Sequence, residues 1–121
     1  MTVRKFPIEV VLAVTTGRPG VAPLDQVQEL LSYMTGADIF MHQIPRAAEV
    51  CRQDLVRQHR WVDGVEPQRG LSRERMLRWV RGYGAEHGDE LPVRVLPGGL
   101  YEPMDPIVEF TRRMGYPARR G

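Results

Sequence analysis

The chain has 121 residues, of which 22 are glycine or proline (12 plus 10), and 17 basic against 15 acidic side chains give +2 at neutral pH. That length supports one domain able to bury about two-thirds of its unfolded surface without disulfides. The 42% apolar content excludes a disordered chain, and the single cysteine, Cys51, excludes a disulfide framework and a cysteine-rich zinc module. The longest purely apolar run, Val10 to Val14, is too short for a membrane span. A protein of a reducing, intracellular compartment is expected, with no catalytic or cofactor motif of any specificity.

In chain order, Phe6 to Thr15 reads as a strand, because Phe6, Ile8, Val10, Leu12 and Val14 fall on one face at period two. Thr16 to Gly20 breaks the pattern. Leu24, Val27, Leu30, Leu31 and Met34 predict a first helix from Leu24 to about Met34, with Asp25 and Gln28 as a capping box and Gly36 as its stop. Ala37 to Ile44 reads as a connector with a helical turn. Pro45 opens a second helix to about His59, with Ala47, Ala48, Cys51 and Leu55 inward, and Trp61 and Val62 fold back over the core. Ser72 caps a third helix to about Tyr83, with Met76, Leu77, Val80 and Tyr83 inward, and Gly82 and Gly84 at its end.

Ala85 to Glu90 reads as a polar turn and Leu91 to Leu96 as a second strand; Pro92 marks an edge. Asp105 and Pro106 open a last helix to about Met114, with Ile107, Val108, Phe110 and Met114 as its inner side. The expectation is a small α+β domain, β-α-α-α-β-α, with about four helices on a two-stranded sheet. It spans residues 1–117, with a flexible basic tail at 118–121.

Four groups of residues bear on function. Thr15, Thr16, Gly17 and Arg18 would follow a strand and precede a helix, an order that can hold an anion on loop N–H groups. No phosphate-loop or dinucleotide pattern is present, and a tight turn is the ordinary account. His42, Gln43 and Arg46 gather hydrogen-bonding and proton-carrying groups near the second helix. Brought against the Thr15–Arg18 loop, they would make one ligand pocket with His42 as the proton carrier. The ordinary account is a helix start whose side chains satisfy loop backbone.

Cys51 and His59 sit about 12 Å apart along one helix and cannot share a metal, so no metal site and no cofactor are expected. Arg75, Arg78 and Arg81 step along the outer side of the third helix. Sixteen of the 17 basic residues are Arg, a bias that a GC-rich genome produces unaided. Arg also binds carboxylate and phosphate in a fork that Lys lacks.

Three segments, VLAVTTGR at Val11 to Arg18, YMTGADIFMHQIPRAAEVC at Tyr33 to Cys51 and QHRWV at Gln58 to Val62, resemble a family of small uncharacterised proteins of tailed bacteriophages and prophages. The segments from Gly88 to Pro97 and from Asp105 to Phe110 fit the same resemblance. Ala37 and Arg60 depart from it, where the family often has aspartate and proline. The resemblance implies a phage accessory protein of the bacterial cytoplasm and carries no established chemistry. A non-enzymatic binder of a host or phage macromolecule is therefore expected, for instance one that blocks a defence or replication factor. A protein partner is favoured over nucleic acid because the net charge is small, and a weak homodimer through exposed strand edges is a further option. The alternative is a small enzyme or ligand-binding domain using the Thr15–Arg18 and His42–Arg46 pocket.

Overall fold

The structure is a computed structural model and describes residues 3–18 and 20–114. The expected basic tail, 118–121, lies outside the described residues. Strand β1 (Val3–Pro7) runs directly into helix α1 (Ile8–Thr16). Helices α2 (Leu24–Thr35), α3 (Ile44–Gln58) and α4 (Arg73–His87) follow, then strand β2 (Glu90–Arg94) and helix α5 (Pro106–Arg113). Short 3-10 turns at Met41–Gln43 and Arg60–Val62 bracket α3. Among the described residues the result is a small α+β domain of five helices and one two-stranded antiparallel sheet. No helix among the described residues is long and apolar enough to cross a membrane.

The main correction lies at the start. The strand expected over Phe6–Thr15 is only β1 up to Pro7, and the rest is α1, which adds a helix to the expected order. Ile8, Val10, Val11, Leu12 and Val14 are all buried, so α1 is covered on nearly every side. A short run that is apolar all round satisfies period two as well as period 3.6 and cannot separate the two. Pro7 closes the ladder opposite Glu90, and the next N–H, of Ile8, donates to the Asp89 carbonyl at 2.8 Å. Gly17, at φ 66°, ends α1 in the left-handed region that favours glycine.

β1 and β2 pair with Phe6 opposite Leu91 and Arg4 opposite Val93. Such a pair is marginal alone, and the helices support it. Gln58 brackets the outer edge of β2: its side chain accepts from the Arg94 N–H at 2.8 Å and donates to the Arg94 carbonyl at 3.1 Å. The His59 ring meets the Pro92 carbonyl at 2.7 Å, and the Tyr33 hydroxyl donates to the Val93 carbonyl at 2.8 Å. Pro92 therefore sits on an edge, and that edge is closed by α3.

Other expectations shift locally. α2 begins at Leu24 behind Pro23, with no side-chain cap, so Asp25 and Gln28 form no capping box. Gln28 instead donates to the Ile39 carbonyl at 2.6 Å. Ser72 and Asp105 do cap α4 and α5. α4 continues past Gly82 and Gly84 to His87; Gly84 is buried near Ile8. Of its expected inner residues, Val80 is buried and Leu77 is exposed.

The largest difference in orientation concerns α5. Ile107, Val108, Phe110 and Met114, expected inward, are exposed, and the residue that α5 buries is Glu109. The reason is electrostatic and is set out below.

Because α1 lies at the centre, Leu12→Ala, at a fully buried site, should cost about 2–5 kcal/mol in chemical denaturation. Leu24→Ala, at a half-exposed site, should stay within about 0.5 kcal/mol of wild type in the same measurement.

Candidate functional site

The Thr15–Arg18 segment is the C-terminal end of a helix, not a strand-to-helix loop. The Thr15 and Thr16 hydroxyls both donate to the Leu12 carbonyl, at 3.3 and 2.6 Å. The Thr16 oxygen also accepts from the Arg18 N–H at 3.2 Å. These hydroxyls and that N–H therefore have partners inside the turn. A helix C-terminus also carries the negative end of the dipole, which opposes an anion there.

The segment does line an open cleft of about 750 Å³ between α1, α2 and α3. Val14, Val27, Ile44 and Ala48 contribute apolar side chains, and Arg18, Arg52, Glu49 and Glu66 contribute charge of both signs. Arg52 pairs with Glu49 at 3.1 Å.

His42, Gln43 and Arg46 do not line that cleft. The structure commits them to the segment that carries α5. The His42 Nε2 lies 2.7 Å from the Pro106 carbonyl. Gln43, 2% exposed, donates to the Met104 carbonyl at 3.1 Å and to Glu109 Oε1 at 3.2 Å. Its side-chain oxygen accepts from the Phe40 N–H at 3.0 Å.

Arg46 forms a fork on Glu109, with Nε to Oε2 at 3.1 Å and one terminal nitrogen to Oε1 at 2.9 Å. It also donates to the Glu102 carbonyl at 3.0 Å and to the Tyr101 hydroxyl at 3.0 Å, with its guanidinium 4.5 Å from the Tyr101 ring centre. The 42–46 segment thus meets the Thr15–Arg18 segment at this cleft through Ile44 and Pro45, while its His42, Gln43 and Arg46 side chains are engaged elsewhere. Those three side chains clamp α5 to the start of α3.

This clamp explains the orientation of α5. A carboxylate can be buried only with partners, and Arg46 and Gln43 supply them at one place. Turning Glu109 inward turns Ile107 and Phe110 outward. Glu109 and Tyr101 are what the sequence reading missed. Their signal was an acid set between Val108 and Phe110, which periodicity alone scores as solvent-facing.

The Arg46 hydrogen bond holds the Glu109 carboxyl below its usual range, against an opposing effect of burial. Burial pushes the Tyr101 phenol up. A carboxylate with a depressed folded pKa stabilises the protein above its unfolded pKa, and that contribution is lost as pH falls through the folded value. Glu109→Gln should therefore destabilise the protein by about 1–3 kcal/mol at neutral pH. It should also flatten the stability loss below the ordinary glutamate range, read from denaturation midpoints between pH 7 and 3.

Cys51 is fully buried, and burial pushes its thiol up to about 12, with nearby Asp54 acting in the same direction. It is an apolar packing residue and no nucleophile. His59 is engaged at Pro92, away from any thiol chemistry. Native protein should resist thiol-reactive dye, with labelling at the rate of unfolding; prompt labelling of the folded chain would contradict this burial. No group of three or more His, Cys, Asp or Glu among the described residues could hold a metal ion.

Arg75, Arg78 and Arg81 are all exposed on the outward side of α4. Glu74 pairs with Arg78 at 3.4 Å, while the Arg75 and Arg81 side chains have no partner among the described residues. Arg75 and Arg78 rim a shallow depression with Leu71, Trp79, Glu66 and Gln68. Trp79 is half-buried and packs edge-on against Tyr83, ring centres 5.2 Å apart. Trp61 stacks in turn on Tyr83 and His87, which ties α4 to the turn after α3.

Residues 6–65 match the family model of a domain of unknown function, DUF7736. The match covers β1 from Phe6, all of α1, α2 and α3, and the turn beyond them. α4, β2 and α5 lie outside it. No curated protein and no solved structure gives a significant match to the chain.

Proposed function

We propose that this chain is a non-enzymatic binding module that engages an acidic protein partner through the outer face of α4. The observation that carries the reading is the row of Arg75, Arg78 and Arg81, all exposed, the first two beside the half-buried Trp79. Arg and Trp are the residue types most enriched where protein interfaces concentrate their energy. Arg78 keeps one acid of its own helix, and Arg75 and Arg81 are left for a partner.

A protein suits this face better than nucleic acid. The chain carries only +2, and the depression beside the arginines includes the acid Glu66 and the apolar Leu71. The resemblance noted in the sequence adds a setting: a phage accessory protein of the bacterial cytoplasm, acting on a host or phage protein, as in host takeover or anti-defence. A catalytic reading has less support. The hydroxyls at the α1–α2 cleft are bonded to Leu12, and His42 lies outside the cleft.

Tagged protein recovered from bacterial lysate, with and without nuclease, tests the proposal. A stoichiometric, nuclease-resistant protein partner is expected. The triple variant Arg75→Glu, Arg78→Glu, Arg81→Glu should weaken its capture at least about tenfold while leaving the fold intact. Unchanged capture by the triple variant overturns the face. Loss of every partner on nuclease treatment replaces the protein partner with nucleic acid.

A further inference from the structure

α5 has a second surface independent of the α4 arginines. Ile107 is 77% exposed, Phe110 47% and Met114 55%. At 100° per residue, Phe110, Met114, Ile107, Thr111 and Val108 occupy one continuous arc of α5. Phe40 continues the surface across a groove of about 450 Å³, lined mostly by apolar atoms of Phe40, His42, Pro106, Ile107 and Phe110, with Asp105 at the same groove. The His42 ring lines it, edge-on to Phe110 at 5.4 Å and stacked near Phe40 at 6.4 Å. Six large apolar side chains, Phe40, Met41, Ile107, Val108, Phe110 and Met114, are each 44–77% exposed here. That is on the order of 500 Å² of apolar surface, at the upper end of what a monomer shows.

We infer that this face is covered by a second copy of the chain, with the two α5 helices packed antiparallel about a twofold axis. Three observations select this occupant. The first is charge. α5 begins with Asp105, exposed at its N-cap, and ends with Arg112 and Arg113, both exposed, of which Arg113 also donates to the His42 carbonyl at 2.5 Å. Antiparallel pairing sets each Asp105 against the partner's arginines; parallel pairing sets like against like. The second is the dipole, since antiparallel helices oppose their end charges favourably. The third is area. A standard interface buries about 800 Å² per partner, so an apolar centre on the order of 500 Å² with a charged rim is enough for a reversible dimer. In this register Ile107 of one copy meets Phe110 and Thr111 of the other, and the groove beside Phe40 receives an apolar side chain. The face is self-complementary, as a twofold interface requires.

Analytical ultracentrifugation of the full chain from about 1 µM to 1 mM tests the inference. Wild type should shift with concentration from the 13.8 kDa chain mass to twice that value. Phe110→Asp and Ile107→Asp, both at exposed positions, should raise the dissociation constant at least tenfold with an unchanged circular dichroism spectrum. Asp105→Ser keeps a capping side chain and removes the charge. It should weaken the dimer several-fold at low salt, with the difference shrinking at high salt. A monomer mass at every concentration overturns the inference and leaves the face to a different partner. A dimer untouched by either aspartate variant overturns it too, by placing the contact elsewhere. Should an aspartate variant lose its fold, the Asp105→Ser salt series decides alone: a dimer indifferent to that substitution at low salt overturns the antiparallel arrangement.

Discussion

A nine-residue helix that is apolar nearly all round has to be covered nearly all round, and this requirement organises the domain. α1 cannot lie on a surface, because Ile8, Val10, Val11, Leu12 and Val14 point in too many directions for a single neighbour to shield them. α2, α3, α4 and both strands all pack against it. The two-stranded sheet, too small to stand alone, forms one wall of this enclosure and has its outer edge closed by Gln58 and His59. Burial of each large side chain of α1 contributes about 1.5–3 kcal/mol. The matched family region, 6–65, is the part that contains α1 and two of the helices around it.

The second constraint is the burial of one carboxylate. Glu109 goes inward because Arg46, Gln43 and the 101–104 segment offer it a complete set of partners. An acid placed there is stable only while those partners hold. In exchange, the apolar side of a short amphipathic helix faces out. The same ion pair therefore stabilises the chain after β2 against α3 and turns outward the apolar surface on which the proposed pairing of two copies rests. Packing and interaction are here two faces of the same eight-residue helix.

How much of this could be read beforehand depended on whether the deciding force was local. Ser72 and Asp105 were legible as caps because capping is decided within a few residues. α2 and α3 were legible from long apolar stripes, and Gly36 as a stop from its place after one. α1 was misread as a strand because period two and all-round burial give the same pattern over nine residues. The inward turn of Glu109 was hidden for another reason: its partner Arg46 lies 63 positions away, and no local rule connects the two. The engagement of Arg46 away from the Thr15–Arg18 cleft was hidden for the same reason, since the sequence shows Arg46 as free for a ligand and the cleft receives only Ile44 and Pro45 of its segment.

The arginines show the limit of composition as a guide to function. Sixteen of them look alike in sequence, and the fold sorts them by what it already uses. Arg46 is consumed by Glu109 and Tyr101, and Arg4 lies over the Phe6 ring and pairs with Glu29. Arg52 and Arg57 face acids one turn away on their own helix, a pairing worth only tenths of a kcal/mol. A genome-wide preference for Arg would populate all these places equally. Arg75 and Arg81 share with Arg18, Arg60, Arg69, Arg73, Arg94 and Arg112 a guanidinium that has no partner among the described residues; what distinguishes α4 is that three arginines step along one helix and that Arg75 and Arg78 share a depression with Trp79. Charge gathered along one helix, next to an aromatic that the fold only half covers, is the physical ground for proposing a binding role for α4.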